Sequence, residues 1–457
     1  MMFRMRQCPG FYAKTVLALS LLFLVTTWLS AESLDQRYIT GLTERRLFTL
    51  AEAHCRQMLA RQDLPPAERI DFTIALCRTY AQHALNTPRS KRDALWNAAT
   101  ETVKQFRQAG VDDPHAVLVE MQLALTMLAR GEFARQEAEV GAPGAPSLDE
   151  ARRELLAADQ LLETISDEAE RLLREVGRNP RLPISEQELI SLQRNIAYQQ
   201  ARALRNQALC YPPKSAERSD ALIRALDQLA PLAKSTSGDA LVWDARIDEA
   251  TCLRLRGQLS TAAERLDKLE AARPPTKTAL LARAERTRIY LDAKQPDDAV
   301  QILKAGREIN GRTSAEFDLA HVEAYIAKWR QATAANNQQQ ADAWQQQAVT
   351  MIQAIESLYG PYWTRRAEML LAASVGAAGS EDVEALTRIA RSHYARKDFA
   401  EAVDAYDRAG QAALGTGDAQ RGFDLLLAAA QTQRKHGDRA AAIERHRNLA
   451  LRLPANA

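Results

Sequence analysis

The chain of 457 residues predicts an all-α fold: stacked antiparallel helix pairs forming an α-solenoid, with a long helical hairpin in the middle. Three observations predict it. Ala, Leu, Arg, Glu and Gln, all strong helix formers, dominate the sequence, and runs of β-branched residues are almost missing. Gly and Pro are few and gather between segments whose apolar residues recur at helical spacing. The periodic segments also come in pairs around short turns, a rhythm that buries an apolar face only by stacking on its neighbours.

At the amino end, Arg4, Arg6 and Lys14 precede an uncharged, mostly apolar run from Thr15 to Trp28, and Leu29-Ser30-Ala31 offers a small residue for cleavage. Basic, apolar and small-residue regions in that order make a secretory signal, so residues 1–31 are expected to direct export to a periplasmic or other extracytoplasmic space. An uncleaved anchor is the alternative, although the run falls short of the about 20 residues a spanning helix needs. Cys8 lies ahead of the apolar run, so no Cys stands at the cleavage point of a lipoprotein. No later segment is apolar enough to span a bilayer. The leader carries three basic residues and no acid, leaving 57 basic against 58 acidic side chains. That balance gives no electrostatic reason to expect nucleic acid as a partner. The Arg89, Lys91, Arg92 cluster reads as a solvated helix start.

Residues 32–140 are expected to form helical hairpins. A first helix from about Thr43 to Arg61 stops before Pro65-Pro66, and a second, Ala67 to Leu85, carries Ile70, Ile74, Cys77 and Ala81 on one face. The next hairpin pairs Arg92–Ala109 with Pro114–Ala129 around Gly110-Val111-Asp112-Asp113. Val140 to Pro146, rich in Gly and Pro, reads as a loop. Residues 147–211 are expected to form the long hairpin. Ser147 caps a helix reaching Val176, in which Leu148, Leu155, Leu162, Ala169 and Val176 recur every seven residues with Ala151, Ala158, Ile165 and Leu172 between them. Four such heptads are a coiled-coil signature; ordinary packing of a long helix within the array is the alternative. A returning helix, Ile184 to Cys210, offers Leu189, Leu192, Ile196 and Ala203, or alternatively Ile190, Ala197 and Leu204.

Residues 215–457 read as plainer repeats. Leu241–Arg256 turns at Gly257 into a helix with Ala262, Leu266 and Leu269. Leu280–Ala293 turns at Gln295-Pro296 into one with Ala299, Leu303 and Gly306. Phe317–Trp329 and Ala341–Leu358 flank a polar loop at Asn336 to Gln340, and Tyr362–Val375 follows. The most regular unit is Leu386 to Ala409: Leu386, Ile389, Ala390 and Tyr394, a turn at Lys397-Asp398, then Phe399, Ala402, Tyr406 and Ala409. The last has Leu426, Ala429 and Ala430, a turn at Gly437-Asp438, then Ala442, Ile443 and the terminating Pro454.

In type and order these residues resemble the tetratricopeptide repeat (TPR) family, most clearly over residues 383–454, moderately over Leu241–Gly306 and weakly before Pro212. Small residues at Ala390, Ala430, Ala402 and Ala442 let helices approach, and the final Pro cannot extend a helix. The resemblance implies a right-handed superhelix whose groove, lined by the first helix of each unit, holds a segment of a protein partner. Tyr290, Tyr325 and Tyr394 are first-helix aromatics and therefore the groove candidates; packing on the next repeat is their commoner fate.

The sequence carries no HExxH, GxSxG, CxxC or phosphate-loop pattern, so no catalytic residue, metal ligand or cofactor is assigned. His54 beside Cys55 and His321-Val322-Glu323 lack a ligand rhythm. Beyond the leader stand four cysteines, an even number in a chain bound for an oxidising compartment. Cys55 and Cys77 lie almost symmetrically about the turn at Asp63–Pro66, and Cys210 and Cys252 near the ends of two helices separated by one other. Disulfides Cys55–Cys77 and Cys210–Cys252 are therefore expected, with four small buried apolar residues as the alternative. The function expected is that of an exported, non-enzymatic scaffold or adaptor binding another envelope protein. The alternatives are an envelope enzyme acting on cell-wall or polysaccharide material, and a structural protein that self-associates through the heptad hairpin.

Overall fold

A computed structural model describes residues 33–139, 146–179, 181–307, 313–377, 383–395 and 399–451. All of its regular structure is helical among these residues. The first helix, α1 (Leu34–Glu44), starts at a capping box in which Ser33 and Gln36 bond reciprocally. It is followed by α2 (Phe48–Leu59) and α3 (Pro66–Leu85). The single helix expected from Thr43 to Arg61 is thus two helices. Arg46 takes a left-handed conformation (φ 60°), the Leu47 N–H closes onto the Leu42 carbonyl at 2.9 Å, and the chain reverses there. Ile70, Ile74, Cys77 and Ala81 are buried on one face of α3, as their spacing predicts.

The next pair is α4 (Arg89–Gln108) and α5 (Val117–Glu139), joined through Gly110 (φ +60°) and one 3-10 turn at Pro114–Ala116. Helix α5 runs well past the expected end at Ala129. The Gly/Pro loop falls largely outside the described residues. The long helix α6 (Leu148–Arg178) begins at a second capping box, Ser147 with Glu150, and α7 (Glu186–Leu209) at a third, Ser185 with Glu188. Ala151, Leu155, Ala158, Leu162, Ile165, Ala169 and Leu172 are all buried, so the heptad pattern marks a real face. That face is occupied by the chain itself. A Cβ on Gly131 of α5 would lie 2.8 Å from Leu155 Cγ, and Gln207 on α7 donates to the Leu155 carbonyl at 3.4 Å.

Helices α8 (Ala216–Ala233), α9 (Ala240–Leu255), α10 (Leu259–Ala271), α11 (Thr276–Asp292), α12 (Pro296–Arg307), α13 (Ala315–Ala334), α14 (Gln338–Tyr359) and α15 (Pro361–Ala377) continue the array. Gly257, Lys294 and Asn336, all at positive φ, turn the successive hairpins. The expected polar loop at Asn336 to Gln340 is mostly helix, because the Asn337 side chain accepts the Gln340 N–H and starts α14. Then come α16 (Val383–Ala395), α17 (Phe399–Gly415), α18 (Ala419–His436) and α19 (Arg439–Ala450). Gly410 and Gly422 let α17 and α18 touch: a Cβ on either would lie 3.0 Å from the other's carbonyl oxygen. The turn at Lys397-Asp398 and Pro454 fall outside the described residues. Ala429, Ala430 and Ala442 are buried as expected, but Ile443 is 67% exposed, since no described helix follows α19 to cover it.

From α3 to α15 every odd-numbered helix packs on the next odd-numbered one as well as on its sequence neighbours, whereas the even-numbered helices make no comparable contact with one another. In a curved stack of two rows, the row whose members touch is the shorter, inner one. Its charged side chains form a ladder. Arg202 on α7 donates to Glu132 on α5 (Nε to Oε1, 2.7 Å), and Arg205 on α7 pairs with Asp248 on α9. Arg254 on α9 bonds Glu285 on α11 at 2.6 Å, and Arg288 on α11 bonds Glu323 on α13 at 2.9 Å. Arg330 on α13 donates to the Ser374 hydroxyl on α15 at 3.1 Å.

The array also returns on itself. Tyr362 and Arg365, at the start of α15, reach the far ends of α3 and α5. Arg365 donates to the Leu85 carbonyl at 3.4 Å, and the Tyr362 ring lies 5.8 Å from that of Phe133. Arg92 stacks on the other side of this contact, 4.3 Å from the Phe133 ring centre, while pairing with Glu137. Gly360 (φ +80°) holds the guanidinium of Arg46 where a Cβ would stand, 2.0 Å away.

The ladder can be tested at its driest rung, where the Arg202 side chain is 3% exposed. Glu132→Ala, which strands that guanidinium, is expected to cost about 3–5 kcal/mol in denaturant unfolding. Arg202→Met with Glu132→Leu together is expected to cost much less, and equal losses would show that the pair is not a unit.

Candidate functional site

The three first-helix tyrosines part company in the structure. Tyr290 on α11 and Tyr325 on α13 are half-buried against the core shared by α11, α12 and α13. Tyr325 is further held between His321 and Trp344, each ring centre 5.8 Å away. These two serve packing between repeats. Tyr394 on α16 is 36% exposed and lines a cavity of about 440 Å³ with Tyr406, Ala428, Gln431, Thr432, Arg434 and Lys435.

That cavity lies between α16, α17 and the last two turns of α18. Thr432 is buried because its hydroxyl bonds back to the Ala428 carbonyl at 2.7 Å. Gln431, with Arg434 and Lys435 one helical turn further on, presents its exposed side chain at the cavity beside theirs. Tyr394 is steadied from behind by Phe399 (5.6 Å) and His436 (5.8 Å), whose own rings stack at 3.7 Å. Burial raises the Tyr406 phenol, with Arg391 opposing and Tyr394 adding to the shift, so a further cation stands nearby. Among the described residues the lining holds two cations, two phenols, an amide and a hydroxyl, and no carboxylate. Such a wall suits an anionic group beside an aromatic or apolar one. Sequence reasoning named Tyr394 as a groove candidate and Tyr406 only as a repeat position, and missed Gln431, Arg434 and Lys435. Their i, i+3, i+4 spacing was the available signal, obscured because a basic last turn is also what any helix favours.

A second group of charges lies where the inner row begins its turns. Asp244 on α9, Lys277 on α11 and Glu316 on α13 are half-buried and outside the ladder's bonded pairs. Burial pushes the Asp244 carboxyl up to about 6, Lys277 opposing while Asp248 and Glu316 add to the shift. Glu316 is raised by burial as well, against the pull of Arg366 and Lys277. Glu285 behaves oppositely: burial raises it, but Arg254 and Arg288 outweigh burial and hold it below the usual range.

The thiols do not pair as expected. Cys55, Cys77, Cys210 and Cys252 are free and buried. Cys77 Sγ points to the Ala99 carbonyl (3.4 Å) and Cys210 Sγ to the Asn206 carbonyl (3.5 Å). Each of the four belongs to a different apolar core, so helix packing has separated the sulfurs that chain symmetry suggested. Burial pushes Cys55 and Cys252 up to about 12 and Cys210 to about 11. No group of three His, Cys, Asp or Glu among the described residues is placed to hold a metal ion. His54 bonds Asp35 at 2.9 Å and His321 donates to the Phe317 carbonyl at 3.0 Å.

No protein-family model and no curated protein matches this chain. Among solved structures, a Rap protein complexed with competence and sporulation factor is 12% identical, with a TM-score of 0.37 over 90% of this chain and 96% of that one. The human IFIT1 dimer with m7Gppp-AAAA is 14% identical, with a TM-score of 0.30 over 93% and 88%. Yeast Tom70 is 11% identical, with a TM-score of 0.27 over 90% and 98%. Likeness at this level carries no functional argument, and the TPR-like description rests on the helix pairs and the two rows themselves.

Two outcomes follow. The raised Asp244 carboxyl makes its contribution to stability greatest below the unfolded value near 4 and lost as pH rises through about 6. Asp244→Asn is therefore expected to stabilise the fold by about 2–3 kcal/mol at pH 8 and by almost nothing at pH 4. A gain that does not change with pH would remove Asp244 as its source. Separately, alkylation without reductant is expected to be slow at these four thiols in the native chain and complete in denaturant. A mass showing only two of them labelled after denaturation would restore a disulfide.

Proposed function

We propose that the protein is an exported, non-enzymatic scaffold that holds an acidic segment of another envelope protein in the cavity between α16 and α18. One observation carries the reading: the cavity is of ligand size and is walled by Tyr394, Tyr406, Arg434 and Lys435, with no carboxylate among the described residues that line it. Carboxylates of the partner would meet the two cations, and an apolar or aromatic side chain would sit between the phenols. The helices that carry these groups are rigid, so little ordering is needed on binding. Export rests on the leader at residues 1–31 and the envelope partner on export. The TPR resemblance is clearest over these same helices, and it implies recognition of a protein segment.

The test places a photo-crosslinking residue at Gln431 in the full chain, in cells, followed by mass spectrometry of the envelope fraction. One abundant partner, linked through a peptide rich in Asp and Glu, is the expected result. Arg434→Glu with Lys435→Glu is expected to cut that link at least about tenfold while leaving the melting temperature in place. Unchanged linking in the charge-reversed chain, or links only to second copies of the protein, would refute the reading.

A further inference from the structure

The other end of the chain carries a second surface. Of the ten large hydrophobic residues most exposed among the described residues, four fall within the first hairpin: Leu34 (83%), Tyr38 (52%), Leu47 (43%) and Leu50 (55%). Leu34 and Tyr38 are one helical turn apart on α1; Leu47, Leu50 and His54 are spaced by single turns along α2. The Tyr38 and His54 rings meet edge to face at 5.1 Å, joining the two sets into one stripe across the hairpin. Ile39, Leu42, Ala51 and Cys55 of the same hairpin lie in the core against α3. The hairpin therefore exposes large apolar side chains beyond those its core uses.

The sequence ahead of the stripe indicates what covers it. The uncharged run from Thr15 to Trp28 ends five residues before Ser33, the cap of α1. A run so close leaves the chain no length to carry α1 away from whatever surface the run enters. Arg37, Arg45 and Arg46 are exposed in the same hairpin against one exposed carboxylate of α1, Glu44, while Asp35 is engaged by His54 at 2.9 Å. Apolar side chains flanked by cations, with a tyrosine among them, are suited to the headgroup boundary of an anionic bilayer.

We propose that the α1–α2 stripe of Leu34, Tyr38, Leu47 and Leu50 lies on the surface of an anionic phospholipid bilayer. It rests on the reading of residues 1–31 as an uncleaved export anchor, the alternative to a cleaved leader, and it adds a second membrane contact to that anchor. Single weak contacts hold a protein to a bilayer reversibly, and two together hold it firmly. The stripe would thus fix the orientation of the array, turning α1–α2 to the lipid and leaving α16–α19 in solution.

The test uses the full chain with Cys8→Ser and a fluorophore on Tyr38→Cys, or on Ile443→Cys as the reference. The four native thiols are buried, so labelling goes to the introduced one. With vesicles of phosphatidylcholine and phosphatidylglycerol carrying a headgroup quencher, the probe at position 38 is expected to be quenched at least about threefold more than that at 443. Leu34→Glu with Leu50→Glu is expected to bring it down to the reference level. Equal quenching at the two sites, quenching that survives the double substitution, or shielding of position 38 by a second copy without lipid would each overturn the proposal. Intact mass reports separately whether residues 1–31 are retained. Vesicles added to a chain that has lost them still read the stripe alone, so a failed anchor and a failed stripe give different results.

Discussion

Along the inner row, every step from α5 to α15 is crossed by an arginine whose guanidinium is fixed by a group on the neighbouring helix of the row. Arg202, Arg205, Arg254, Arg288 and Arg330 do this in turn, four to carboxylates and one to a hydroxyl. Apolar packing gives the array most of its stability, but it is non-directional and would tolerate a helix slipping along its neighbour. A planar guanidinium cannot slip without stranding its charge. Because desolvation offsets much of the Coulomb gain in such pairs, the ladder acts mainly on register and little on net stability. Buried polar residues of the inner helices, Arg202 and Glu285 among them, are tolerated because they are matched from helix to helix.

Holding the register has a consequence at long range. Once the spacing of the inner row is set, the curvature brings the start of α15 back to the ends of α3 and α5. There Arg365, Tyr362, Phe133 and Arg92 interlock. Gly360 is needed at that point for the same reason, since its missing Cβ is where Arg46 lies. The return leaves the inner charges recessed from water, which is why Asp244 and Glu316 hold their protons more tightly than exposed carboxylates. Helices α16 to α19 lie past that closure, and α1 and α2 lie ahead of the row. They are therefore the parts of the array whose side chains are not consumed by it.

Most helices were legible because they are periodic, and the start of α6 because Ser147 caps it, whereas Ser33, Ser185 and Asn337 cap starts that periodicity alone did not mark. What was not legible depends on distance through space. Nothing local in the sequence distinguishes Arg202, which bonds a residue on a different hairpin, from a solvated arginine. The break at Arg46 escaped notice because a left-handed arginine has no marker of the kind glycine provides. The heptads of α6 correctly gave a buried face but not its occupant, because a coiled-coil seam and a long array helix bury the same positions. The cysteine pairs failed for a related reason: symmetry about a turn fixes height along a hairpin but not the direction in which a side chain points. At the cavity, aromatic residues at repeat positions were visible, while the cations came from a helix end that looked ordinary.

The two unconsumed surfaces differ in kind, and the difference follows from where they sit. Helix α19 closes the described array with little behind it, so the cavity in front of it can be walled by polar groups at no cost to a core. Arg434 and Lys435 remain hydrated there until an anion replaces the water. At the amino end the exposed groups are Leu34, Tyr38, Leu47 and Leu50, for which water is a poor partner in every state of the protein. A polar cavity can wait unfilled; an apolar stripe of this size gains free energy from being covered at all times. A transient partner at α16–α18 and a permanent contact at α1–α2 are the occupancy that these chemistries favour, with the laddered inner row holding the two a fixed distance apart.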